Sequence, residues 1–215
     1  MGRKFKAINT FVIPVLTYSF GIIRWTKTEV DAFNMNYRVL CTKYRCHHPK
    51  STVERFHLPR NLGGRGVIDI VNLHYQQLER LRQYCQEKAN GSEIHQIVTY
   101  IDRKITPLNL TNETTDLHSQ IQSNEVKIDN WKEKQLHGRY PYQIEEELMN
   151  RKSSIKWLCL GEHFAETEGF IIAIQDQVVS TKNYRKFVLK DFNILDDKCR
   201  LCRDHRENVD HIISL

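Results

Sequence analysis

Apolar side chains recur every three or four residues along most of the chain, a spacing that predicts α-helices. The first apolar stretch, Phe5–Ile23, contains Pro14, so we expect a kinked helix or two short helices there. Thr26 and Glu29 match the capping-box pattern, which predicts the start of a second helix that ends near Arg45.

A loop and a third helix complete the first predicted unit. Residues 58–66 contain three glycines and a proline, which predicts a tight, irregular turn. Between Val67 and Cys85 the apolar positions return to helical spacing. Because three helices with short connections can bury a common core, residues 1–86 are predicted to form a three-helix bundle.

The second half of the chain is predicted to be more loosely organised. Residues 87–135 are polar and weakly periodic, which favours a linker with short helices. Residues 136–190 are predicted to form a smaller helical unit, and Trp131 and Trp157 are predicted to anchor the core in this half of the chain. The run Phe170–Ile174 is compatible with a buried strand, although the pattern that follows it favours helices. The predicted fold class is therefore mainly α.

Composition and charge narrow the candidate partners. The chain has 215 residues, 40% of them hydrophobic, and a formal net charge of +6. A positive excess suits a phosphate-bearing partner, although an ordinary basic protein has the same composition. We see no secretory signal and no apolar run of roughly 20 residues, so no membrane partner and an intracellular, reducing compartment are expected. Four isolated cysteines are then expected to be buried thiols: Cys41, Cys46, Cys85 and Cys159.

Four stretches spread over the chain carry a resemblance to a known family. They are Asn9–Gly21 with Trp25 and Thr26, Leu58–Gly66, Glu166–Gln177, and the terminal Cys199, Cys202 and His211. In this order and spacing they resemble the segment that follows the catalytic palm in LINE-type (non-LTR) retrotransposon reverse transcriptases.

The resemblance implies a role in holding nucleic acid. Residues 1–86 would be the thumb that grips the RNA template/primer duplex in target-primed reverse transcription, and residues 191–215 would be a zinc knuckle that handles RNA and target DNA. The palm and endonuclease active sites would lie outside this segment, so no catalytic residue and no small-molecule substrate are expected. A working protein of this kind would be nuclear. Asp196 and Asp197 lie just before the knuckle, and we interpret them as a polar turn or helix cap.

Cys199, Cys202 and His211 are the predicted zinc ligands. Two thiolates separated by two residues can enclose one zinc ion in a tight turn. The resemblance implies that a fourth ligand, a cysteine, would follow directly after Leu215, so the knuckle is expected to be truncated. His205 or water would then complete the site. The alternative is that Cys199 and Cys202 are two ordinary thiols.

Basic side chains are the predicted nucleic-acid contacts. Arg60 and Arg65 flank the glycine-rich loop, where a phosphate could approach the backbone closely. Two further clusters are predicted to contact a phosphate backbone: Lys43 with Arg45, and the helical stripe Lys182, Arg185 and Lys186. Each could equally be a solvated surface. Tyr18 and Trp25 could stack on bases, but their apolar neighbours favour the core.

Two other functions stay open at this point. The chain could be a domesticated protein-interaction module with no role in nucleic-acid binding. It could also be a small zinc-dependent hydrolase that uses Cys199, Cys202 and His211, although the sequence offers no accompanying general base.

Overall fold

A computed structural model describes residues 3–102, 105–110, 118–145, 149–161 and 163–214. Within these ranges the chain is mainly helical and contains no strand, which confirms the predicted fold class. Parts of the predicted linker (103–104 and 111–117) and the terminal Leu215 lie outside the described residues. The α-helices are α1 (Arg3–Ala7), α2 (Ile13–Phe20), α3 (Lys27–Lys43), α4 (Val53–His57), α5 (Ile70–Ala89), α6 (Glu93–Ile101), α7 (Asn124–Lys132), α8 (Arg139–Glu145), α9 (Arg151–Leu160), α10 (Ala165–Gln175) and α11 (Val209–Ile213).

The first apolar stretch forms two helices, α1 and α2, joined by the π-helical segment Ile8–Val12. A π turn takes more residues than an α turn, so it rotates the apolar face of the helix that follows. Phe5 of α1 and Phe20 of α2 are both buried in the core. Tyr18, for which the core was the favoured interpretation, is instead 80% exposed.

Helices α3 and α5 pack against each other and agree closely with the sequence prediction. The Thr26 hydroxyl accepts a hydrogen bond from the Glu29 backbone, and the Glu29 carboxylate accepts one from the Thr26 backbone, which completes the capping box. At the start of α5, Asp69 caps the helix by accepting from the backbone N–H of Asn72. The local signal at Thr26 and Glu29 was therefore sufficient to predict the start of α3, whereas the cap at Asp69 was not predicted.

The region predicted as a polar linker folds back onto α5. The Lys127 ammonium of α7 pairs with Asp69 at 2.8 Å. Asn72 and Gln122 exchange two hydrogen bonds between side chain and backbone, at 2.8 and 3.1 Å. Helix α7 also packs against α4. Residues 118–132 are thus part of the first packing unit rather than a connection between two units.

The predicted boundary between the first bundle and the second helical unit is also crossed by buried ion pairs. Arg55 of α4 and Asp176, which follows α10, are both fully buried and lie 3.0 Å apart. The Arg55 guanidinium lies against the rings of Trp131 and Tyr140, 5.1 and 4.5 Å from their centres. The run Phe170–Ile174 belongs to helix α10 and not to a strand.

Arg60 and Arg65, predicted to contact phosphates, point into the protein. Arg60 pairs with the buried Glu168 and donates to the backbone oxygen of Leu158 at 2.6 Å. Arg65 is fully buried, donates to the backbone oxygen of Ala165 at 3.0 Å and lies 3.5 Å from Glu168. The phosphate assignment for Arg60 and Arg65 therefore does not fit the structure, because neither guanidinium faces solvent.

The glycines of this loop serve close packing in the structure. Gly63 has a φ of 87°, in the left-handed region that favours glycine. A Cβ on Gly64 would lie 2.0 Å from the backbone oxygen of Leu58, so no side chain fits there. The conformation of this loop is thus determined by close packing between its own residues and by the internal contacts of Arg60 and Arg65.

The predicted burial of the cysteines and tryptophans agrees with the structure only in part. Cys41 and Cys46 are buried as expected, but Cys85 is only half-buried and Cys159 is exposed. Trp131 is buried in the core, whereas Trp157 is half-buried. None of the described helices combines the length and the hydropathy needed to cross a membrane.

The buried His47 predicts a pH dependence of stability. Its ring packs against Phe56 with centroids 4.6 Å apart, and burial, with a smaller effect of the Arg65 charge, lowers the pKa of His47 to about 3. The unfolded chain takes up a proton near pH 6.5 and the folded chain does not, so stability falls as the pH drops from 6.5 towards 3. We predict that His47→Phe removes about 2 kcal/mol of the stability loss between pH 7 and pH 5, measured by urea denaturation.

The control for this experiment is His163→Phe, because His163 is exposed. That variant should keep the pH dependence of the wild type. Equal pH dependence in the wild type and His47→Phe would contradict the assignment of the effect to His47.

Candidate metal centre and basic surface

The segment from Cys199 to His211, called the knuckle below, is built on a short antiparallel bridge. Lys198 and Arg206 pair with each other, and the backbone N–H of Cys199 donates to the His205 oxygen at 2.7 Å. Arg203 has a φ of 61°, which turns the chain sharply after Cys202. This turn directs backbone N–H groups towards the two sulfur atoms.

Both sulfur atoms accept hydrogen bonds from the turn. The Leu201 backbone N–H lies 3.4 Å from Cys199 Sγ, and the Asp204 N–H lies 3.5 Å from Cys202 Sγ. The backbone N–H groups of His205 and Asp204 are the main causes that lower the pKa of the Cys202 thiol to about 6. The thiolate is the form of cysteine that binds metals, so the turn favours the metal-binding form of Cys202.

His211 reaches the two cysteines from helix α11. Asn208 caps this helix, because its side-chain oxygen accepts from the His211 backbone at 2.8 Å. His211 Nε2 lies 3.2 Å from Cys202 Sγ, and the donor atoms of His211 and both cysteines all lie within 4.8 Å of one another. These three predicted ligands therefore form a group that could hold a metal ion.

His205 was the suggested substitute for a fourth ligand. Its ring stacks on the His211 ring, with centroids 5.3 Å apart, and 71% of its side chain is exposed. It lies beside the donor group formed by Cys199, Cys202 and His211 and is not part of it.

Glu207 holds the knuckle against the preceding segment, a role that the sequence did not indicate. Its buried carboxylate accepts from the backbone N–H groups of Lys182 and Arg200, at 2.9 and 3.0 Å, and from the Arg200 guanidinium at 2.7 and 2.8 Å. Burial alone would raise the pKa of Glu207, but these hydrogen bonds lower it to about 2. In the sequence, Glu207 is one acidic residue in a charged stretch, and nothing marks it as buried.

The predicted basic stripe has intramolecular partners. Lys182 pairs with Asp196 at 3.0 Å, Arg185 pairs with Asp191 at 2.6 Å, and Lys186 donates to the Leu195 oxygen at 2.9 Å. All three basic side chains are only partly exposed. These three side chains bind the loop of residues 189–197. Within the predicted polar turn, the Asp196 carboxylate accepts a hydrogen bond from the backbone N–H of Lys198.

A hollow of about 440 Å³, open to the surface, lies directly beside the knuckle. Its lining carries four basic side chains and one carboxylate: Lys182, Lys198, Arg200, Arg203 and Asp196. Cys199 also lines it, so the metal group and this basic hollow share a wall. Lys198 and Arg203 are exposed, which leaves their charges accessible to a ligand. Neither residue was predicted as a contact from the sequence, because the basic stripe around Arg185 has the more regular helical spacing.

The other predicted contacts lie elsewhere. Lys43 and Arg45 are exposed at the end of α3. Arg45 lines a separate groove with His48 and Phe170, and this groove shares no lining residue with the basic hollow. The structure therefore brings Lys182 to the knuckle but not Lys43 or Arg45.

The chain matches no protein-family model, no curated protein and no solved structure. The function proposed below is therefore supported by the geometry of the knuckle and by the four sequence stretches described above.

Proposed function

We propose that the chain is the thumb-to-knuckle part of a non-LTR retrotransposon reverse transcriptase, and that it holds nucleic acid without catalysing a reaction. The observation that carries this proposal is the shared wall between the metal group and the basic hollow. A metal that fixes the turn from Cys199 to Cys202 also fixes the positions of Arg200 and Arg203. Binding of the metal and binding of phosphates would thus be coupled.

Zinc is the metal that this donor set suits best. Two thiolates and an imidazole are typical ligands of structural zinc, which takes four ligands in a tetrahedron. Cys199, Cys202 and His211 would supply three of them. The fourth would be a further side chain or a water molecule.

The basic hollow supplies the phosphate contacts in this proposal. Backbone phosphates need positive charge and no base readout, and the exposed Lys198 and Arg203 provide it. Arg200 is held by Glu207 and would contribute through its fixed position. The RNA template, the target DNA or their hybrid all offer the same phosphate chemistry.

A salt titration of nucleic-acid binding tests this function. We predict that the double variant Lys198→Gln/Arg203→Gln binds a labelled RNA oligonucleotide more weakly than the wild type. The slope of log affinity against log salt concentration should become shallower by roughly 1.5 units. The variant lacks two phosphate contacts, so its binding releases fewer counterions. Fluorescence anisotropy at salt concentrations between about 50 and 200 mM gives the measurement.

The matched control is Lys152→Gln/Lys156→Gln on α9. Both residues are exposed lysines, so this variant loses the same formal charge. Its salt slope should equal that of the wild type. Equal slopes in all three proteins would remove the basic hollow from the binding surface, and a wild type with no salt-dependent binding would refute the nucleic-acid function.

A second candidate function, a protein-interaction module, is favoured by one observation. The outer face of α2 and the π-helical segment exposes Phe11, Val15 and Tyr18, which are 72–80% accessible. Exposed apolar patches are typical of protein–protein contacts. In that case binding of nucleic acid would be absent or unaffected by the substitutions in the basic hollow.

A further inference from the structure

Polar contacts connect the loop of residues 189–197 to the segment that precedes it. Arg185 and Lys186 bind it at Asp191 and Leu195, and Lys182 binds it at Asp196. Inside the loop, the Asp191 carboxylate accepts from the backbone and the side chain of Asn193, both at 3.1 Å. The loop thus has a defined shape that does not depend on apolar packing.

This loop presents two large apolar side chains to solvent. Phe192 is 94% exposed and Leu195 is 90% exposed. Burying a phenylalanine side chain stabilises a fold, so a fold that keeps this one outside the core forgoes that stabilisation. A loop that holds a ring outwards in this way is suited to a partner that covers it.

The surroundings of Phe192 select the chemistry of that partner. Lys190 is exposed two residues before it in the chain. The loop then leads, through Asp196, into the basic hollow. An apolar protein surface would have to cover these cations without compensating them. A nucleotide offers a flat apolar base for the ring and a phosphate for the cations.

The exposed ring also distinguishes single strands from duplexes. In a duplex the faces of the bases are stacked on one another, whereas an unpaired base can stack on a protein aromatic ring. We propose that the loop of residues 189–197 and the knuckle together bind unpaired nucleotides, with a base stacked on Phe192 and the adjoining phosphates in the basic hollow. This inference rests on the proposed function, and it specifies single-stranded nucleic acid as the ligand of this end of the chain.

The test compares the full chain and its variants, with zinc present, on one RNA oligonucleotide and on the duplex of the same sequence. Phe192→Ala should weaken binding of the single strand about tenfold, because one stacked base is lost, and should leave the duplex affinity unchanged. Its salt slope should stay that of the wild type, because no phosphate contact is removed. Phe192→Trp should restore the single-strand affinity.

Phe164→Ala is the matched control, since Phe164 is 81% exposed just before α10. It should bind both ligands like the wild type. A Phe192→Ala variant that binds the single strand as tightly as the wild type, or loses the duplex equally, would overturn the inference and leave the proposed function standing. A wild type that binds neither ligand would instead refute the proposed function itself.

Discussion

Replacing Glu168 by glutamine should lower the free energy of unfolding by about 3–5 kcal/mol, the usual cost of removing one partner from a buried ion pair. Glu168 is fully buried and pairs with both Arg60 and Arg65. The amide keeps the size of the side chain but not its charge. Both guanidinium groups would then stay buried with their positive charge uncompensated.

The cost is large because Arg65 is held in its buried position and stays charged. Arg65 also donates to backbone oxygens of Cys46 and Ala165, which hold it in place. Burial lowers the pKa of Arg65 to about 10, and this group is still charged at neutral pH. Urea denaturation at pH 7, followed by circular dichroism, measures the difference in the free energy of unfolding.

Glu166→Gln is the control for this prediction, because Glu166 lies two residues before Glu168 in the first turn of α10 but pairs on the surface with Lys4. Exposed ion pairs contribute little to stability, so this variant should unfold at the urea concentration of the wild type. If Glu168→Gln also unfolded there, the buried network would not be what joins α10 to the loop of residues 58–66.

The helices were predictable because their signals are local. Thr26 and Glu29 form the predicted capping box, and the apolar spacing from Val67 to Cys85 anticipates most of α5. The register of α2 was not predictable in this way. The π-helical segment Ile8–Val12 rotates the face that follows, and periodicity assumes an uninterrupted α-helix.

The buried arginines were not predictable because their partners are distant in sequence. Arg60 and Arg65 meet Glu168 about a hundred residues later, and Arg55 meets Asp176. A sequence with a glycine-rich loop and two arginines looks the same whether the loop binds a phosphate or a carboxylate of its own chain. The same contacts explain why the predicted boundaries at residues 86 and 135 do not separate packing units.

The metal group was predictable for the opposite reason. Two cysteines three positions apart can meet only in a tight turn, and the spacing to His211 leaves room for one short helix. The burial of Glu207 could not be predicted because it depends on a hydrogen bond from the backbone of Lys182, which is 25 residues away. The metal group could thus be predicted because its residues are close in sequence. Glu207, which attaches the knuckle to the rest of the chain, could not.

Zinc should stabilise the protein, and Cys199→Ser should abolish that stabilisation. A ligand that binds only the folded state adds about 2.7 kcal/mol at a hundredfold excess over its dissociation constant. Cys199 is the buried member of the donor group, so its loss opens the inner side of the site. Thermal unfolding with added zinc, and again after chelation, measures the stabilisation in the wild type and the variant.

A second readout places the metal at the knuckle rather than at another thiol. Cys202 and Cys159 are both exposed, so both should react with an alkylating reagent in the metal-free protein. Zinc should protect Cys202 and leave Cys159 reactive, and Cys159→Ser should respond to zinc like the wild type. Zinc-dependent stabilisation that survives in Cys199→Ser, or protection of Cys159 in place of Cys202, would show that the ion binds elsewhere. The turn from Cys199 to Cys202 would then form without a metal, through the backbone hydrogen bonds to sulfur and the contacts of Glu207.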